Sequence, residues 1–144
     1  LPRMAGELVL FLAAGVLSAG ISAILQATGY TPGLVDFGAL EAGLFLVIMV
    51  GLSVIGIHPV ITIVSTSSML LPLVSDPNLL AITFLMGWGA GVSISPLSGL
   101  NLALQGRYGI AAQQFIRHNG SFVLLLLAIE CLALILYEAI STAS

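Results

Sequence analysis

Residues 87–109 read GWGAGVSISPLSGLNLALQGRYG, and all of them up to Gly106 belong to residues 77–106, which hold no charged side chain. The centre, SISPLSGLN at 93–101, is the wrong chemistry for an unbroken membrane helix. Pro96 removes a backbone donor and clashes with the preceding turn, Ser95 before it is pushed out of the helical region, and Gly99 adds slack. A helix is therefore expected to stop and restart here, giving one discontinuous helix over 79–105. In hydrocarbon each freed N–H or C=O costs several kcal/mol, so such a break survives only where protein buries it or it lines a polar cavity. Three serines and one asparagine gather at this break and would furnish a small polar site.

Composition sets the class. Of 144 residues 59% are hydrophobic and 6% charged, and mean hydropathy is +1.20. A soluble domain carries roughly 25% charged residues, so the chain reads as an all-α integral membrane protein. With three arginines and no lysine there is no basic patch, which excludes nucleic acid as a partner. The single cysteine, Cys131, permits no disulfide within the chain. The chain begins Leu-Pro-Arg, and its length holds only four or five crossings. It is expected to be the C-terminal part of a larger permease, forming a single transmembrane domain over 1–144.

Working outward, residues 4–26 are long enough to span and carry small residues that let a neighbouring helix approach closely. Glu7 near their start reads as an interfacial carboxylate. Residues 42–75 are thirty-four without a charge, about 50 Å if wholly helical and far more than a ~30 Å hydrocarbon core requires. The sequence GLSVIGIHP at 51–59 is the natural place for this segment to fold back, with Gly56 and Pro59 as structural breaks. It forms either a re-entrant hairpin or a pair of short spans. Residues 106–119, with Arg107, Arg117 and His118, are expected as an interfacial segment, and 121–140 as a final helix with Glu130 at its midpoint. If 42–75 enters and returns on one side, all three arginines face the cytoplasm, while Asp36, Glu41, Asp76 and the C-terminus lie outside, as the bias of basic residues prefers.

The order of a spanning helix, a Gly/Pro-tipped uncharged pair, a Pro-broken helix, a basic interfacial segment and a last span resembles the C-terminal repeat of the ion transporter superfamily. That superfamily includes divalent-anion/sodium symporters and arsenite-type permeases. Gly56-Ile57-His58-Pro59 with Ser65-Thr66-Ser67, and the 95–101 stretch SPLSGLN, carry the likeness. The Ser-Asn-Thr signature of dicarboxylate members is absent, since Leu100 and Leu102 flank Asn101, which sets the resemblance at superfamily level. It implies a secondary active transporter in a membrane, by expectation the inner membrane of a prokaryote. An N-terminal counterpart half and a homodimer are further implications.

Secondary transporters bind their cargo near the bilayer midplane, where interrupted helices aim dipole ends and free carbonyls at it. A half-helix starting near Leu97 would favour a small anion, an organic acid before an oxyanion, through Ser95, Ser98, Gly99 and Asn101. Hydroxyls of Thr62, Ser65 and Thr66 would complete the site. Carbonyls freed around Ser93 to Ser95 would suit Na⁺; coupling to H⁺ would instead use His58 or Glu130. No cofactor beyond the coupling ion is expected. Each residue has a plainer reading: hydroxyls bond the carbonyl one turn back, His58 caps a helix, and Glu130 makes a structural hydrogen bond. An enzyme is not expected, because there is no HExxH pair, no acidic pair at catalytic spacing, and no histidine in a later span to serve Ser98. The alternatives are a membrane scaffold subunit and a channel.

Overall fold

The computed structural model describes residues 5–29, 37–71 and 74–143, and these form six α-helices with no strand among them. Local chemistry sets most of the boundaries. α1 runs Ala5–Thr28. α2, Ala39–Val54, opens where the Gly38 N–H donates to the Glu41 carboxylate at 3.0 Å. It closes by a Schellman arrangement, in which the Gly56 N–H donates to the Ser53 carbonyl and the Ile57 N–H to the Leu52 carbonyl. That turn needs Gly56 at φ +97°, a left-handed conformation that glycine adopts without steric cost. α3, Pro59–Leu70, starts at once, with Pro59 in its first turn and His58 as N-cap.

α4, Pro77–Ile94, is capped by Asp76, whose carboxylate accepts from the N–H groups of Asn78 and Leu79. It ends where Ser95 takes an extended backbone, ψ 122°, ahead of Pro96. α5, Gly99–Tyr108, restarts behind Ser98 and closes on Gly109 at φ +66°. α6, Ala112–Ala143, is 32 residues long, about 48 Å. Residues 112–119, expected as a segment apart from the last span, are instead its first two turns. The Gln114 side chain accepts from the Ala111 N–H at 2.9 Å and closes the entry to that helix.

α2, α4 and α6 form the centre of the molecule. At one end Phe37, Ala39, Ala42, Leu46, Leu79, Leu80 and Leu134 are buried together; at the other, Val50, Ala90, Ile94 and Val123. Glycines set the distances between helices. A methyl group on Gly87 would lie 2.7 Å from Met49 Cε, and one on Gly91 2.6 Å from both Pro59 Cγ and Ser53 Oγ. Leu70, at the end of α3, packs on the cluster that holds Phe37 and Ala39, so the α2–α3 pair returns to the end from which it set out.

Two stretches are long and apolar enough to cross a membrane: Pro77–Tyr108, mean hydropathy 1.5, and Gln113–Ala143, mean hydropathy 2.4. The second leaves much of its apolar surface uncovered, including Leu124, Leu125, Leu132 and Ile140. α2 and α3 are apolar but shorter, at 16 and 12 residues.

Candidate functional site

Pro59 and Ser53 lie against Gly91, one turn before the end of α4, and a side chain on Gly56 would meet Leu97 Cδ1 at 3.2 Å. The two helix breaks, forty residues apart in sequence, are therefore neighbours in space. Close approach requires the glycines, and Gly56 is also fixed there by its backbone angle.

At the α4–α5 break Ser95 and Ser98 are fully buried, and Asn101 is 3% exposed. Ser98 is the N-cap of α5; its hydroxyl accepts from the Asn101 N–H at 3.3 Å, and its carbonyl from the Leu102 N–H at 2.8 Å. Of the four N–H groups that a helix start leaves free, those of Gly99 and Leu100 remain without a partner among the described residues. The Ser95 hydroxyl likewise has none. A buried hydroxyl with no partner costs roughly 1–3 kcal/mol.

The carbonyls freed by the break are closed by carboxamides. Asn101 donates its side-chain N–H to the Ser95 carbonyl at 2.8 Å and reaches that of Val92 at 3.4 Å. Gln105 donates to the Pro96 carbonyl at 2.7 Å, and Asn119, from α6, to the Ser93 carbonyl at 2.6 Å. The carbonyls of Ser93 and Ser95, expected to be free for Na⁺, thus already have donors.

Several hydroxyls take the plainer course. Ser93 bonds the Gly89 carbonyl, Thr66 that of Thr62, Ser53 that of Met49, and Thr83 that of Leu79, each one turn back. His58 acts as a cap, its Nδ1 accepting from the Val60 N–H at 3.2 Å. Thr62 is buried in the first turn of α3, while Thr66 lines a groove between α2 and α3 with Phe37, Glu41 and Leu44 and stands away from the break. Ser65 Oγ is buried without a partner. Glu130 is 8% exposed, with Oε2 unpartnered. It lies eleven residues from Asn119, about 16 Å along α6, and so is not gathered with the break.

Sequence reasoning missed Gln105 and Asn119. Gln105 stands nine residues after Pro96, and Asn119 twenty-six after Ser93. No local pattern links such pairs. Asn101 and Asn119 also line a cleft of about 560 Å³ between α5 and α6, walled by Leu104, Phe115, His118 and Phe122 among others.

No protein-family profile, curated protein or solved structure matches this chain.

Proposed function

We propose that this chain is one half of a secondary active transporter for a small anion, an organic acid before an oxyanion, coupled to Na⁺ or H⁺. In this reading α2 and α3 are a re-entrant hairpin, α4–α5 a discontinuous span and α6 the last span. An N-terminal half would complete the site.

One observation carries the reading. The fully buried Ser95 hydroxyl, without a partner, stands at the same break as the unengaged N–H groups of Gly99 and Leu100 at the start of α5. Free N–H groups at a helix N-terminus favour negative charge, and in transporters such interrupted helices hold the cargo. The hairpin tip supports it, since Gly56 and Pro59 press against the same break and could move relative to it. Because donors already occupy the Ser93 and Ser95 carbonyls, coupling through Glu130, whose Oε2 has no partner, gains weight over Na⁺ at those carbonyls.

Trp88 lies on α4 eight residues before Pro96 and is partly exposed, so its fluorescence in the intact protein reports on the break. A panel of small carboxylates and oxyanions, titrated with and without Na⁺ and across pH, is expected to give a saturable change for one anion. Ser95→Ala should weaken that response about tenfold, equivalent to about 1.4 kcal/mol, while raising the unfolding midpoint, because it removes a buried hydroxyl that has no partner. Silence with every anion in a folded protein would replace this reading by the scaffold one.

A further inference from the structure

Glu130 stands on the face of α6 that holds this helix to the rest of the molecule. Val123 and Leu134 are buried in the two apolar clusters and Leu127 packs on both, so residues 123, 127, 130 and 134 form one stripe at the four- and three-residue spacing of a single helix face. The residues they meet belong to α2 and α4. Cys131, next in the chain, sets the level on α2: its Sγ lies 3.6 Å from where a methyl group on Gly43 would be. At this level Glu130 is 8% exposed and its Oε2 is buried without a partner.

No positive charge stands opposite. α2 carries one ionisable side chain, Glu41, in its first turn, where it accepts from the Gly38 N–H. α4 carries none beyond its Asp76 cap, which Tyr137 engages. On α6 itself, Glu138 lies eight residues on, about 12 Å along the axis, and reaches toward Gly38. His118 and Arg117 lie at least twelve residues back, about 18 Å along the same helix. On α5, Arg107 lies over the Tyr108 ring at the exposed end of that helix. A carboxylate enclosed in this way costs several kcal/mol, and the neutral acid far less.

The packed arrangement of α2 on α6 therefore favours the proton on Glu130, while ionisation favours any arrangement that brings this side chain to water. α2 is also the first arm of the helix pair whose tip presses on the α4–α5 break. We propose that Glu130 is a proton-binding site formed while α2 is seated on α6, so that proton uptake closes the first hairpin arm and proton release frees it. Resting on the transporter reading, this makes H⁺ the coupling ion and α2 the part that it moves.

The test needs no cargo. Nitroxide labels at Val47→Cys on α2 and Leu132→Cys on α6, both exposed positions, report the distance between the two helices in the intact protein in liposomes, with Cys131→Ser as background. As pH is raised over roughly 5 to 9, a longer-distance population is expected to grow at the expense of the short one. Glu130→Gln, which stays neutral, is expected to keep the short distance throughout. Infrared difference spectra of the unsubstituted protein against Glu130→Gln should show one protonated carboxyl that disappears over the same pH interval. A distance that ignores pH, a distance that shifts equally in Glu130→Gln, or a carboxyl that stays protonated throughout would each overturn the proposal. Both changes in a protein whose Trp88 fluorescence answers to no anion would uphold the proton site and remove the transporter reading instead.

Discussion

At the scale of single residues, Asn101 does more than any other side chain at the α4–α5 break. Its backbone N–H is taken by the Ser98 cap, while its side chain closes the carbonyls of Ser95 and Val92. Asn101→Ala would take the shorter of two donors from the Ser95 carbonyl, leaving it only the Ser98 N–H at 3.2 Å, at a cost of about 1 kcal/mol. The reference is Ser53→Ala, which removes only a hydroxyl bonded one turn back inside a helix whose carbonyl keeps its ladder partner. A clearly lower unfolding midpoint for Asn101→Ala than for Ser53→Ala, measured in detergent, is the expected result. Equal midpoints would show that the break does not depend on its carboxamides. The sequence made Asn101 visible because it sits beside Pro96 and Gly99. It could not reveal that asparagine and glutamine side chains would close the carbonyls expected for a cation, since Asn119 reaches Ser93 only after the chain has turned from α5 into α6.

At the scale of elements, the contacts that bring the two breaks together depend on how far a glycine can be filled. Gly87 and Gly91 lie one turn apart on the same face of α4, and both approach α2. A methyl on Gly87 would meet the far end of the Met49 side chain, which has rotamers to move into; one on Gly91 would meet the Pro59 ring and Ser53, both held by the backbone. Gly91→Ala is therefore expected to destabilise by about 1–3 kcal/mol, the range for overpacking, and Gly87→Ala by clearly less. Thermal unfolding of the two variants side by side decides it, and the reverse order would show that the hairpin tip yields more easily than the Met49 side chain. The breaks themselves were legible in the sequence because proline and glycine act on their own backbone. The start of α6 was not: arginine, histidine and asparagine at 117–119 suggested a separate interfacial piece, but nothing in that stretch interrupts helical hydrogen bonding. The Gly109 turn and the Gln114 cap place the real boundary before Ala112.

For the whole molecule, the decisive question is which ends share a side of the membrane. α2 and α4 both start at the end where Leu134 joins the core and run toward the end where Val123 does, while α3 and α6 run back. The all-helical architecture and its apolar spans follow from composition, whereas this pairing of directions depends on contacts among glycines and leucines that any apolar helix could offer. It makes a definite prediction when combined with the bias of Arg107 and Arg117 toward the cytoplasm. Leu40, Ser75 and Ser141, all exposed and all at one end, should lie outside, and Ala111, exposed between α5 and α6, inside. With Cys131 replaced by serine, single cysteines at these four positions can be probed in intact cells with a membrane-impermeant thiol reagent. Cysteines at 40, 75 and 141 are expected to react, and one at 111 only after the cells are opened. If 40 and 75 instead react from opposite sides, α2 and α3 together cross the bilayer, the hairpin reading fails, and the Gly56–Pro59 turn no longer lies where an alternating-access movement against α4–α5 would need it.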